Sequence, residues 1–527
     1  MLDRIVRFAL NQRIFMLLAI GALLIVGTYA VVNLPVEAFP DVQDVQVQII
    51  TPFPNGAPEE VERSVSRPIE VEMSGVPHLT QLRSISMTGL SVVTLMFSDG
   101  TDDYFARQQV LEKLQNVQLP PGLTPQLAPL TTAVGEVYRY TLHGPKGMAQ
   151  SELRSIQDAI VRPALRRVPG VADIVTMGGA QQEIQVRANP QALVKFGLTF
   201  QQLQDALTRN SANVGGGLLR RGDESLVVRS QGIYRSLDDI RRTVVVTHQG
   251  QPILVGDVAE VANGEHERSG IVALGRDDDV VEGVVNMTKG QDPAVVDQAL
   301  VKAIDGLGPH LPDGVTIDRI YDRRDLIEHT VSTVTENMLT GAVLVVAILV
   351  IFLRNWSAAL IVASVIPLAL LGAFTLMHLK GMSANLISLG AVDFGIIIDS
   401  AVVLVEALMV RLTLDAAEGP ARSDAAHRMI ALRQTATAMG HPIVFSKAII
   451  VLAFLPIFTF QRVEGKIFSP MAFTLSFALA GAVVLTLTWV PTMLAFLLGR
   501  RTLLEKHLPW MEAIKDRYLT ALLWCRV

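Results

Sequence analysis

Six runs of apolar residues stand out from an otherwise mixed chain: Ile14–Val32, then 338–353, 358–377, 386–410, 442–460 and 470–498. Each approaches or exceeds the roughly 20 helical residues that the hydrocarbon core of a bilayer takes. Arg4, Arg7 and Arg13 precede the first run. Such a flank suits a secretory leader as well as a membrane span. The run exceeds a typical leader core, however, and Asn33-Leu34-Pro35-Val36-Glu37 offers no small-residue cleavage site, so it reads as a retained span. Six spans place both termini on one side. Arg354, Arg411, Arg422, Arg428, Arg433, Arg500 and Arg501 join the N-terminal arginines on that side, whereas the short loops opposite hold Lys380, Arg462 and Lys466. The excess of positive charge predicts a cytoplasmic N-terminus.

Residues 33–336 then form one large segment outside the cytoplasm, and their patterning changes to that of a soluble α+β protein. Val45–Ile50 and Ser91–Met96 alternate with period two, as half-buried strands do. Pro58-Glu59-Glu60-Val61-Glu62 opens a helix with acids in its first turn. The order strand, helix, hairpin, helix occurs near 45–118 and again near 136–207, where Glu136–Leu142 reads as a strand and Ser151–Val168 as a helix. This predicts two split βαβ, ferredoxin-like subdomains. An insertion over 215–263, with Gly215-Gly216-Gly217 and the turn Arg221-Gly222-Asp223, reads as a projecting hairpin domain. The second subdomain resumes over 264–336 with a strand within Gly270–Met287, a helix from Pro293 and a strand near Val315–Tyr321. Leu503–Leu523 mixes charged residues with Leu, Trp and Met, an interfacial amphipathic pattern. The expected architecture is a six-helix membrane α-helical bundle carrying a large α+β region.

Composition agrees. Half of the 527 residues are apolar and the mean hydropathy is +0.38, too high for an ordinary soluble protein. Membrane lipid is therefore one expected partner. The net charge of −5 gives no basic surface for nucleic acid. The single cysteine, Cys525, excludes a disulfide framework and a cysteine metal cage within the chain. No nucleophile elbow, P-loop or zincin motif points to an enzyme, and no cofactor is expected.

The fourth run carries the chemistry. Asp393, Asp399 and Glu406 interrupt an apolar stretch, and an ionised acid at mid-membrane costs roughly 2.5–3.5 kcal/mol on insertion scales. Acids kept at such positions mark an ion or proton path, or else pair with basic groups to hold helices together. Asp399 and Glu406, seven positions apart, share one helical face, and Asp393 is rotated away from it. Lys447 in the fifth run either snorkels to the interface or forms a salt bridge with Glu406.

Three stretches resemble the resistance-nodulation-division (RND) superfamily, within it the heavy-metal efflux branch: Leu34-Pro35-Val36-Glu37-Ala38-Phe39-Pro40-Asp41, Asp393-Phe394-Gly395-Ile396-Ile397-Ile398-Asp399 with Glu406, and Val463-Glu464-Gly465-Lys466-Ile467-Phe468-Ser469-Pro470. The resemblance covers essentially the whole chain. It implies a trimeric proton antiporter in the inner membrane, whose periplasmic porter and docking subdomains meet an adaptor protein and an outer-membrane channel. Asp399 would be the central proton carrier, with Asp393 and Glu406 as companions. Members of the family are about twice as long, so the chain reads as an N-terminal half that lacks its C-terminal half, stopping where a seventh span begins.

For the cargo, Glu136 falls where similar divalent-metal exporters have an acid near the substrate cleft. Carboxylates suit zinc, cobalt, nickel or cadmium rather than copper(I), and the loop methionines Met73, Met87, Met96, Met148, Met177 and Met287 are scattered. A solvated surface charge is the plainer reading of Glu136. Solvated loops likewise account for Glu265-His266-Glu267 and Asp277-Asp278-Asp279. Efflux of drugs or amphiphiles is the alternative transport function, although aromatics make up only 6% of the chain. A non-transporting assembly subunit is the alternative from another class.

Overall fold

A computed structural model describes residues 2–522, apart from 38–39, 214, 230–231, 249, 269, 278, 386, 388–389, 391–393, 418–424 and 499–515. The chain forms two compact units: Met1–Gly135 with Lys289–Ala294 and Arg323–Val527, and Glu136–Thr288 with Val295–Asp322.

In the first unit, β1 (Val36–Glu37) follows the first membrane helix, and the α+β part is built from β2 (Gln46–Pro52), β3 (Leu79–Met87), β4 (Leu90–Phe97) and β5 (Gln126–Leu127). The sheet order is β3-β4-β2-β5, all antiparallel. Period-two alternation turns Val47 and Ile49 of β2, and Val93, Leu95 and Phe97 of β4, to one face, where helical residues Val65, Ile69, Met73, Ala106 and Val110 cover them. Asp102 starts the Asp103–Leu114 helix by accepting from the Phe105 amide at 2.8 Å.

The second unit repeats this plan. β6 (Glu136–His143), β7 (Val171–Met177), β14 (Val281–Met287) and β15 (Thr316–Asp322) lie in the order β15-β6-β14-β7, again antiparallel. In each repeat the strands occupy the same relative positions, so both are ferredoxin-like. The likeness extends to a detail: each first helix contains a π-helical turn, Glu62–Ser66 and Gln157–Val161, leading directly into Arg67-Pro68 and Arg162-Pro163. A proline lacks the N–H of a regular helix and its ring crowds the carbonyl one turn back; the wider turn relieves both. In the second core, Tyr140 crosses β14 at Gly283, where any Cβ would lie 2.2 Å from its ring.

The insertion in the second repeat is wider than the glycine pattern implied. The expected hairpin after the 151–168 helix does not form: β7 pairs with β14, and β8 (Gln182–Ala188) pairs with β13 (Ala259–Glu265). The second sheet is therefore interrupted from Met177 to Val281, not only over 215–263. Gly178 and Gly179 take positive φ where the departing chain lies against β14's entrance; a Cβ on Gly178 would sit 2.0 Å from the Val280 carbonyl oxygen. The insertion has its own core around Leu193, Leu203, Ile240, Ile253, Val258 and Val261. It contains the hairpin of β9 (Gly215–Arg221) and β10 (Glu224–Arg229), and the pair β11 (Val244–His248) and β12 (Gln251–Leu254).

Back in the first unit, helices Arg13–Val32, Arg323–Leu353, Trp356–Leu379, Ala426–Ala453 and Arg462–Leu498 are long and apolar enough to cross a membrane. The helix Phe394–Ala417, 24 residues long, carries Asp399 and Glu406. Three helices start well before the apolar runs at 338, 442 and 470: at Arg323, Ala425 and Arg462. Two of those expected starts coincide with Pro442 and Pro470, which lie inside continuous helices; packed membrane helices tolerate proline. Small residues, among them Ala359, Ala369, Ala373, Ala401, Ala436, Ala478 and Ala482, let the helices approach closely in a single core. The N-terminal helix Leu2–Asn11 adds Val6 and Leu10 to it. Segment β16 (Ala384–Asn385), ahead of the acid-bearing helix, pairs in parallel with β1. Of the amphipathic segment 503–523, residues 516–522 are described and helical.

Candidate functional site

The acid-bearing helix buries Ile397, Ile398, Ala401, Leu404, Val405 and Leu408 against its neighbours. That face is set by apolar positions at helical spacing, and the acids fall on the other side: Asp399 and Glu406 are both exposed. Asp393 lies outside the described residues.

Lys447 completes the site. Its side chain is only 3% exposed, its Nζ lies 3.3 Å from Asp399 Oδ2, and it donates to the Ile396 carbonyl oxygen at 2.7 Å. Both expectations for this lysine need correction: it neither reaches outward to an interface nor pairs with Glu406. Because its helix begins at Ala425 rather than 442, Lys447 falls in the last third of that helix, level with Asp399. A buried ammonium needs acceptors around it, and the carbonyl and carboxylate of one neighbouring helix supply two. The side chain of Asp399 keeps 59% of its surface exposed, so one carboxylate edge is held and the other remains accessible. The pair thus sets a buried cation against an acid that solvent reaches. The Ile396 contact escaped the sequence reading; a lysine inside an apolar run was the only signal.

Glu136 opens β6 and is held by Arg139, whose Nε and Nη2 donate to its two carboxylate oxygens at 2.8 Å each. Arg139 also lies 3.6 Å from Glu282. The Glu136 hydrogen bonds push the Arg139 pKa above its ordinary value. A cation arriving at Glu136 therefore competes with a bidentate arginine. His266 pairs with Glu183 (3.1 Å) and Asp279 with Arg268 (2.6 Å). Among the described residues, no group of three His, Cys, Asp or Glu side chains is arranged to hold a metal.

Residues 5–525 match the AcrB/AcrD/AcrF family. The chain is 42% identical over 532 residues to the cobalt-zinc-cadmium resistance protein CzcA of Cupriavidus metallidurans, an alignment covering 98% of this chain and 50% of that protein. It is 35% identical over 503 residues to the cation efflux system protein CusA of Escherichia coli strain K12, covering 94% and 48%. A crystal structure described as that of a heavy metal efflux pump superposes with a TM-score of 0.82 at 38% identity, over 93% of this chain and 48% of that one. The chain thus spans about half the length of the curated relatives it matches. Long apolar helices, neighbours that carry Asp399, Glu406 and Lys447, a twice-repeated ferredoxin-like plan and a match along nearly every residue make it a multi-pass membrane member of the AcrB/AcrD/AcrF (RND) transporter family, not an enzyme.

Proposed function

We propose that the chain is the N-terminal half of a proton-driven pump that exports divalent heavy-metal cations from the inner membrane. The Lys447–Asp399 pair inside the membrane core is the observation that carries this reading. Protonation of Asp399 removes the negative charge from the pair; Lys447 keeps the Ile396 carbonyl and loses its carboxylate partner, so the two helices respond to the proton. Asp393 provides the route from the outer side and Glu406 the route inward. The N-terminus is cytoplasmic. The two ferredoxin-like folds act as periplasmic porter subdomains and the insertion as the docking part, in a homotrimer completed by the C-terminal half, an adaptor protein and an outer-membrane channel.

The relatives point to the cargo class: one is named for cobalt, zinc and cadmium resistance, another for cation efflux. Glu136 offers the oxygen donor that such borderline cations accept, and releasing it from Arg139 is the step by which cargo is admitted. Growth of cells expressing the complete locus, across salts of zinc, cobalt, nickel, cadmium, copper and silver and a panel of amphiphilic drugs, tests the reading. Tolerance should rise for the first four metals. A gain confined to drugs, or no gain at all, would overturn it.

A further inference from the structure

The last long helix, Arg462–Leu498, is tied at its start to one end of the first ferredoxin-like sheet. Lys466 donates to the Gln43 carbonyl oxygen at 2.7 Å, and its Nζ lies 3.2 Å from Asp44 Oδ1 and 4.0 Å from Asp99 Oδ1. The Arg462 amide donates to Asp99 Oδ2 at 3.2 Å, and Arg462 takes a φ of +52°, in the left-handed region. A non-glycine residue keeps such a conformation only where its surroundings over-determine it. Here the amide bond to Asp99 on one side and the Lys466 contacts one turn later supply that constraint.

Asp44 and Asp99 are not scattered surface acids. Asp44 leads into β2 and Asp99 follows β4; these strands are hydrogen-bonded neighbours with Gln46 opposite Met96, so both carboxylates stand at one end of the sheet. The same strands carry Val47, Ile49, Val93 and Leu95 into the sheet's core, so a pull on either acid moves the whole fold. At the other end of this connection, Ala478, Ala482 and Leu485 of the last helix share one core with Ala401, Leu404 and Leu408 of the acid-bearing helix. Lys466 and Asp44 are only 28% and 31% exposed, which limits screening of their attraction.

We infer that Lys466, clamped by Gln43, Asp44 and Asp99, is the strut through which charge changes at Asp399 are transmitted to the first ferredoxin-like fold. Packed helices shift as bodies rather than deform continuously, so a helix fixed at its outer end to a sheet carries that sheet with it. Lys466 acts as a positioning residue: it touches neither proton nor cargo in this account. The inference rests on the proton-antiport reading above.

Linkage supplies the test, because a proton site coupled to a metal site makes metal affinity depend on protonation by the same factor. Zinc affinity is measured by calorimetry on the complete two-half pump in nanodiscs at two pH values flanking neutrality, and zinc flux in proteoliposomes. The part of the pH dependence that disappears in Asp399→Asn belongs to the membrane acid. Lys466→Met should erase that same part, which for two coupled sites amounts to about 5- to 150-fold in affinity, should lower flux, and should leave zinc affinity at the higher pH unchanged. Lys466→Arg should retain both. If Lys466→Met does not assemble, Asp44→Asn and Asp99→Asn should weaken the same pH-dependent part from the sheet side. Retention of that part and of normal flux in these variants would overturn the strut. Absence of zinc flux in the parent pump would overturn the antiport reading itself, and the strut with it.

Discussion

Lys447 Nζ lies 3.3 Å from Asp399 Oδ2 across two membrane helices, with the lysine side chain 3% exposed and the aspartate side chain 59% exposed. The asymmetry matters more than the distance. Among the described residues the cation has two acceptors, Asp399 and the Ile396 carbonyl, and it cannot leave without losing both, whereas the carboxylate keeps an open edge. In the antiport reading proposed above, protonation at that open edge would change the force between the two helices.

Removing one member of the pair should hurt more than removing both. Lys447→Met leaves Asp399 unpaired, and Asp399→Asn leaves a buried cation with the Ile396 carbonyl alone; the double variant leaves neither charge. A double-mutant cycle on thermal stability of the purified protein should give a coupling of about 0.5–3 kcal/mol, towards the lower end because Asp399 is more than half exposed. Strict additivity would show that the contact is incidental.

Gly283 should not accept a side chain. A Cβ there meets the Tyr140 ring at 2.2 Å, in a core where Tyr140 is fully buried and its hydroxyl bonds Gln157 at 3.0 Å. Gly283→Ala should lower stability by about 1–3 kcal/mol, as overpacking does. Chemical denaturation followed by fluorescence checks this, and an unchanged midpoint would contradict the packing described.

Glu136→Gln keeps the shape of the side chain and removes its charge. Since the Glu136–Arg139 pair is one-third or more exposed at both partners, the stability cost should stay below about 1 kcal/mol. Metal tolerance conferred by the complete pump should nevertheless fall, with expression and assembly unchanged. Unaltered tolerance would leave Glu136 as a surface charge paired with an arginine.

Glu37, between the first membrane helix and the first sheet, gives a pH dependence of definite sign. Burial raises its carboxyl above the ordinary value of 4.5, with the Arg323 cation opposing. The folded protein therefore holds this proton more tightly than the unfolded chain does. The contribution is fully present below the unfolded pKa and is lost as pH rises through the folded one. Glu37→Gln removes the loss, so its melting temperature should gain on the parent as pH rises from acidic to neutral. A gain towards acid instead would contradict the assignment.

Much of the architecture was legible from the sequence because two periods dominate it. Alternation in Gln46–Pro52 and Leu90–Phe97 marks strands with one buried face, and long apolar runs leave a helix as the only solution in lipid. The acids of the fourth span were legible because their cost there is high. What misled were residues whose meaning depends on distant neighbours. The hairpin expected after the 151–168 helix fails because the partner of Val171–Met177 is Val281–Met287, far along the chain. Pro442 and Pro470 signal breaks that membrane packing overrides. Lys447 was visible as an oddity; its partner was misassigned to Glu406 because the helix start, and hence the depth of the lysine, was misplaced by the same proline.

In the proposed antiport, Asp399 carries the coupled proton. Asp399→Asn preserves shape and most hydrogen bonding while removing titration, so the pump should still assemble. The measurement is metal-driven proton flux in proteoliposomes containing the complete two-half pump, at matched protein levels. Flux is expected in the parent and none above background in Asp399→Asn. Normal proton flux in that variant would make Asp399 structural and place the proton path elsewhere.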